Sequence, residues 1–150
     1  MGSVVTKPGI VTSVVETAEC LLDQRHLEAE RLASMLDAAQ DAAAQFADKC
    51  NVDVDWERIW QIEPILFDEQ LIELADEAIK EVADTSHRLP SGPLHDAAEV
   101  SRAGIPTVML FVQSLRGLSH TKLEDTKEEH IELSVKTLDG LADRAIAALA

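Results

Sequence analysis

One continuous apolar run, Ile105 to Val112, stands alone among helical segments, and a single strand cannot make a sheet. Val108, Met109, Leu110, Phe111 and Val112 follow one another without polar alternation, the pattern of a strand covered on both faces. What surrounds it reads as helix and loop. Asp68 is placed to cap a helix carrying Leu71, Ile72, Ala75, Ile79 and Val82 on one face. Thr85 to Leu94 is rich in Ser, Pro and Gly and reads as loop, and His95 to Ala103 as a short helix closed by Gly104. After a loop over residues 113–125, Thr126-Lys127-Glu128-Glu129 fits a capping box. The helix it opens has Ile131, Val135, Leu138, Ala142, Ala145 and Leu149 at core spacing. A lone buried strand would leave its backbone donors and acceptors unpaired. The rest of the sheet is therefore expected from elsewhere, and the chain is expected to be part of a larger α/β domain.

The first 64 residues have a different rhythm. Ile10 to Arg25 reads as a strand, Leu27 to Cys50 as a helix, and Val52 to Ile62 as a second strand ending at Glu63-Pro64. This β-α-β order makes half of a small two-layer α/β sandwich. Trp56 and Trp60 share one strand face and read as core or interface. Cys20 and Cys50 sit at apolar positions with no Cys or His at metal-ligand spacing, so both are expected to be buried free thiols. That usage fits a reducing compartment. With no leader-like segment and no apolar run of membrane length, it gives a cytoplasmic expectation. The net charge of −15, from 13 basic and 28 acidic residues, excludes nucleic acid and anionic membrane as natural partners.

Few residues are placed for chemistry. His120 follows Gly117-Leu118-Ser119 just past the carboxyl end of the apolar run, where open α/β sheets place their ligands. A neutral imidazole there suits a metal, and the plain alternative is a surface histidine bonded to a nearby carbonyl. His95-Asp96 opens a helix behind Ser91-Gly92, a place suited to a carboxylate or oxyanion unless Asp96 serves only its own helix end. Asp23-Gln24-Arg25-His26 closes the first strand, and an arginine there can clamp a carboxylate or merely be solvated. His26, Arg58, His87 and His130 read as solvated surface groups. No glycine-rich phosphate loop, CxxC pair or Ser/His/Asp set is present.

Pro90-Ser91-Gly92-Pro93-Leu94-His95-Asp96-Ala97, then Pro106 to Val112, then Gly117-Leu118-Ser119-His120 with Glu124 shortly after, resemble the C-terminal signature of zinc-dependent amidohydrolases. The group comprises the N-carbamoyl-L-amino-acid hydrolases, allantoate amidohydrolases and β-ureidopropionases of the aminoacylase-like metallopeptidase superfamily. Asp23-Gln24-Arg25 is similar to the family's Asp-x-Arg at the end of a lid strand. The resemblance implies that His120 ligates one of two zinc or manganese ions and that Arg25 grips the substrate carboxylate. It also implies that the loop before His95, at Leu94, gives the substrate a backbone contact. Thr12 falls where the family usually has an asparagine that helps hold the substrate. Leu94 replaces a glycine and Pro93 stiffens the loop, so a differently shaped pocket is expected.

By the same resemblance, residues 1–64 correspond to part of a ferredoxin-like dimerisation lid and residues 65–150 to the C-terminal part of the catalytic α/β domain. The general base and the other metal ligands are expected in an N-terminal half with no counterpart here. The implied function is hydrolysis of linear amide or carbamoyl C–N bonds in N-carbamoyl or ureido acids, with this chain inactive by itself. Its expected partners are that small-molecule substrate and either a second copy or the N-terminal half. A non-catalytic interaction or dimerisation subunit derived from the family is the alternative, and a poorly folding truncated product is a third.

Overall fold

The structure, a computed structural model, describes residues 2–149, and the Leu149 side chain lies outside the described residues. The chain divides between Pro64 and Ile65 into two compact units.

The first unit opens with an antiparallel hairpin of β1 (Ser3–Lys7) and β2 (Thr17–Leu21), in a register pairing Ser3 with Leu21, Val5 with Glu19 and Lys7 with Thr17. The Glu16 amide donates to the Lys7 carbonyl at 2.8 Å, and the Ser13 amide to the Ile10 carbonyl at 3.1 Å. These bonds correct the expected strand over residues 10–25. Its first part is a turn, and only Thr17–Leu21 finds a partner, in the Ser3–Lys7 segment. Helix α1 (Ala29–Cys50) follows, with Leu32, Leu36, Ala39, Ala43 and Ala47 half-buried along one stripe. Asn51 ends it in the left-handed conformation at φ 52°.

The second expected strand, residues 52–62, forms no ladder. Alternation marks a half-buried strand only where a neighbour takes up its hydrogen bonds, and the sheet here has two strands, β1 and β2. The β-α-β order is therefore replaced by a hairpin and a helix. Trp56 and Trp60 are exposed, at 44% and 67%. Cys20 and Cys50 are exposed as well, against the expectation of buried thiols. Cys20 lies on an uncovered two-stranded sheet, and Cys50 ends its helix.

In the second unit Asp68 caps α2 (Glu69–Ala83) as expected, its carboxylate accepting from the Leu71 amide at 2.8 Å. Helix α3 (Asp96–Arg102) is short, and Gly104 follows it at φ +82°. Helix α4 (Glu128–Leu149) packs against α2. Ala75, Ala78 and Leu141 form the buried cluster, with Leu74, Val108 and Leu110 against it. Alanines at the crossing let two helix backbones approach closely. Arg144 of α4 pairs with Glu81 of α2 and donates to the Gly140 carbonyl at 2.9 Å. The Thr126 hydroxyl, expected to cap α4, donates instead to the Gln113 carbonyl at 2.5 Å. His130 is part-buried rather than solvated, and its Nδ1 is buried without a hydrogen-bond partner among the described residues.

The apolar run 105–112 also forms no ladder, which corrects its assignment as a strand covered on both faces. It is held by the Asp68 amide, which donates to the Thr107 carbonyl at 3.0 Å, and by Val108 and Leu110 on the core. Ile105 and Phe111 remain more than half exposed, at 56% and 52%. The observed class is α+β, with a two-stranded antiparallel sheet and four α-helices among the described residues. No helix among them is long and apolar enough to cross a membrane.

Candidate functional site

The segment after the apolar run is a tied loop. At its base the Leu115 amide donates to the Asp125 carbonyl at 2.7 Å, beside the Thr126–Gln113 bond. Inside it Leu115–Gly117 makes a 3-10 turn, and Arg116, Gly117 and His120 all have left-handed backbone, at φ 59°, 65° and 57°. For a residue with a Cβ that conformation costs roughly 1–2 kcal/mol, so other contacts must hold it. At His120 they are visible. Its amide donates to Glu124 Oε2 at 2.6 Å, and its Nδ1 lies 2.5 Å from Ser119 Oγ. The Glu124 amide in turn donates to the Thr121 carbonyl at 2.9 Å. The His120 side chain is exposed at the loop surface. An open depression of about 310 Å³ lies at the loop base, lined by Val112, Ser114, Glu124, Asp125 and Thr126.

His95 occupies the N-cap position of α3, with extended backbone at φ −122°, ψ 159° and its carbonyl accepting from the Ala98 amide at 2.9 Å. Its ring meets Phe111 edge-on, with centroids 6.5 Å apart and planes at 61°. This contact ties the α3 start to the end of the apolar run. A helix of seven residues offers little dipole for an oxyanion. Before it, the Ser91 hydroxyl donates to the Pro93 carbonyl at 3.0 Å, and Leu94 is half exposed.

In the first unit Arg25 is engaged by Asp23. Its Nε lies 3.0 Å from Oδ1 and its Nη2 2.5 Å from Oδ2, a two-point pairing between half-exposed side chains. The hydrogen bond from Arg25, with its charge, holds the Asp23 carboxyl below the usual carboxylate range and raises the Arg25 guanidinium. Residues two apart in extended backbone point to the same side, and that spacing is the signal by which this pairing could have been found. Thr12 lies in the turn that links β1 to β2 and is exposed. The sequence motifs therefore resolve into His120 with Ser119 and Glu124, His95 with Phe111, and Arg25 with Asp23. The Ser119 and Phe111 contacts have no signature in residue spacing.

Residues 2–144 match the family model described as Peptidase family M20/M25/M40. The chain belongs to peptidase family M20. It is 32% identical over 130 residues to an N-carbamoyl-L-amino acid amidohydrolase of Geobacillus stearothermophilus, covering 86% of this chain and 32% of that protein. An uncharacterized hydrolase of Haemophilus influenzae is 28% identical over 145 residues, covering 92% of this chain and 33% of the relative. An allantoate amidohydrolase of Escherichia coli is 26% identical over 137 residues, covering 91% and 33%. The chain thus spans about a third of the length of these curated relatives. No solved structure matches it at a significant level.

M20 enzymes are generally metal-dependent. Among the described residues no group of three or more His, Cys, Asp or Glu is placed to hold a metal ion. An open catalytic site takes at least three protein ligands. One exposed imidazole whose Nδ1 is already occupied by Ser119 fits a single ligand acting through Nε2. The described residues of this M20 chain fit one donor of such a site and do not make the site themselves.

Proposed function

We propose that the chain is the C-terminal portion of a binuclear metal-dependent hydrolase that cleaves linear amide or carbamoyl C–N bonds in N-carbamoyl-L-amino acids or ureido acids. The family match across residues 2–144 carries this reading, together with relatives named for that chemistry, of whose length the chain covers about a third. In it, residues 1–64 are part of a ferredoxin-like dimerisation lid and residues 65–150 the last part of the catalytic domain. The unpaired apolar run 105–112 then takes its neighbouring strands from the N-terminal portion, which also supplies the general base.

When bound, zinc or manganese would supply an activated water and a polarised carbonyl. This chain's own share is binding and orientation. His120 offers Nε2 to one metal ion. Arg25, held in line by Asp23, receives the substrate carboxylate, and Thr12, in the turn of the hairpin, gives the substrate a separate contact. Leu94 and His95 shape the substrate end of the pocket, where the bulk of Leu94 and the rigidity of Pro93 narrow the range of acids accepted. The setting is cytoplasmic and the assembly a homodimer, or a complex with the N-terminal half.

A second reading is a non-catalytic interaction subunit derived from the family. The exposed Trp56 and Trp60 favour it, since interfaces are rich in such side chains. Mixing the chain with the N-terminal portion of a family member and assaying N-carbamoyl amino acids separates the two. Turnover that is abolished in His120→Ala and sharply reduced in Arg25→Gln is the expected result. A stable complex without turnover, or one indifferent to His120→Ala, would favour the interaction subunit.

A further inference from the structure

We infer that Glu124 is the positioning residue of the candidate site, fixing which nitrogen of His120 faces outward. The inference rests on the reading of His120 as a metal ligand and deepens it. A left-handed backbone at φ 57° is unusual for a residue with a Cβ, and at His120 it is met by one charged acceptor, Glu124 Oε2, 2.6 Å from the amide nitrogen. The Glu124 backbone is itself tied back to the Thr121 carbonyl at 2.9 Å, so the carboxylate and the residue it holds close one small ring. That ring turns the His120 side chain toward its neighbour, with Nδ1 2.5 Å from Ser119 Oγ.

A neutral imidazole carries one proton, and a ligand must present a lone pair. The Ser119 hydroxyl can donate to Nδ1 or accept from it; the ligand reading requires the second, with Nδ1–H donating to Ser119 Oγ and the lone pair on Nε2. Free histidine in water favours the opposite tautomer, with the proton on Nε2. The carboxylate of Glu124 therefore acts through the backbone: it holds the conformation in which Ser119 Oγ is in reach to accept the Nδ1 proton. It does not need to touch the metal or the substrate.

The test is NMR on the full 150-residue chain, ¹⁵N-labelled, at a pH where His120 is neutral. The wild type is expected to show the Nδ1–H tautomer at His120 and a slowly exchanging His120 amide. In Glu124→Ala and Glu124→Asp the amide should exchange about tenfold faster and the ring should revert toward Nε2–H. Aspartate keeps the charge but is one methylene shorter, so it separates reach from charge. Glu124→Gln keeps an acceptor at the same reach and should restore the wild-type tautomer. Resonances of α2 and α4 monitor folding in every variant. An Nε2–H tautomer in the wild type would overturn the inference, as would a tautomer and exchange rate unmoved in both truncations. Zinc added to the wild type together with the N-terminal portion of a family member, which would supply the other ligands, should shift His120 Nε2. If it does not, the ligand reading fails, and the tautomer and exchange results still decide whether Glu124 positions the ring.

Discussion

Arg25 and Asp23 show how a motif can be legible while its geometry is not. An arginine near a strand end suggests a carboxylate clamp, but the nearest carboxylate belongs to the chain itself, 2.5 Å away. Because Asp23 is titrated below its ordinary value in the folded chain, its contribution is present above the unfolded value of about 3.9 and is lost as pH falls through the lower folded one. A ¹³C carboxyl titration should therefore place the Asp23 midpoint below that of an unpaired aspartate. Arg25→Gln should return it to the ordinary range, and an unmoved midpoint would show that the pairing does not persist in solution. At His120 the motif was readable, since Gly117-Leu118-Ser119-His120 and Glu124 lie close in sequence. The left-handed backbone was not, because neither histidine nor arginine announces a positive φ as glycine does.

Helices were the legible elements. Asp68 signals the start of α2, and the apolar spacing of Leu71, Ala75 and Val82 signals its buried face, because both are local features of the chain. Strands were not legible in the same way. Residues 52–62 and 105–112 carry apolar patterns that suit a strand, but a strand exists only when a neighbour accepts its hydrogen bonds. Thr17–Leu21 found one in Ser3–Lys7, and the other two segments did not. The α2–α4 contact is the packed element pair of the second unit and depends on small side chains. Ala78, 2% exposed, has Gly140 of α4 close by, where an added Cβ would come within 3.9 Å of the Ala78 Cβ. Ala78→Leu should therefore overpack the crossing and lower stability by about 1–3 kcal/mol in urea unfolding. An unchanged midpoint would mean that the helices do not pack this way.

At the scale of the whole molecule, the chain is nearly half hydrophobic but its buried set is small, with Ala75, Ala78, Ala98 and Leu141 as its apolar members. Large apolar side chains such as Trp60, Phe46, Val135 and Ile146 stay exposed. That surface, beside an M20 match covering about a third of each relative's length, supports the proposal of a chain that works with further polypeptide. The two units should also differ in stability. A two-stranded hairpin is marginal in water, while α2 and α4 share a buried cluster. Hydrogen exchange should thus be faster at Val4–Thr6 and Ala18–Cys20 than at Ala75–Ile79. The reverse order would indicate that the hairpin is covered in solution.

The most direct measurement is turnover of N-carbamoyl-L-amino acids by the purified 150-residue chain supplied with zinc or manganese. With His120 as one donor and no metal-holding group of three among the described residues, the proposal predicts no turnover above the uncatalysed rate. Sustained hydrolysis by the chain alone, abolished by a chelator, would contradict it.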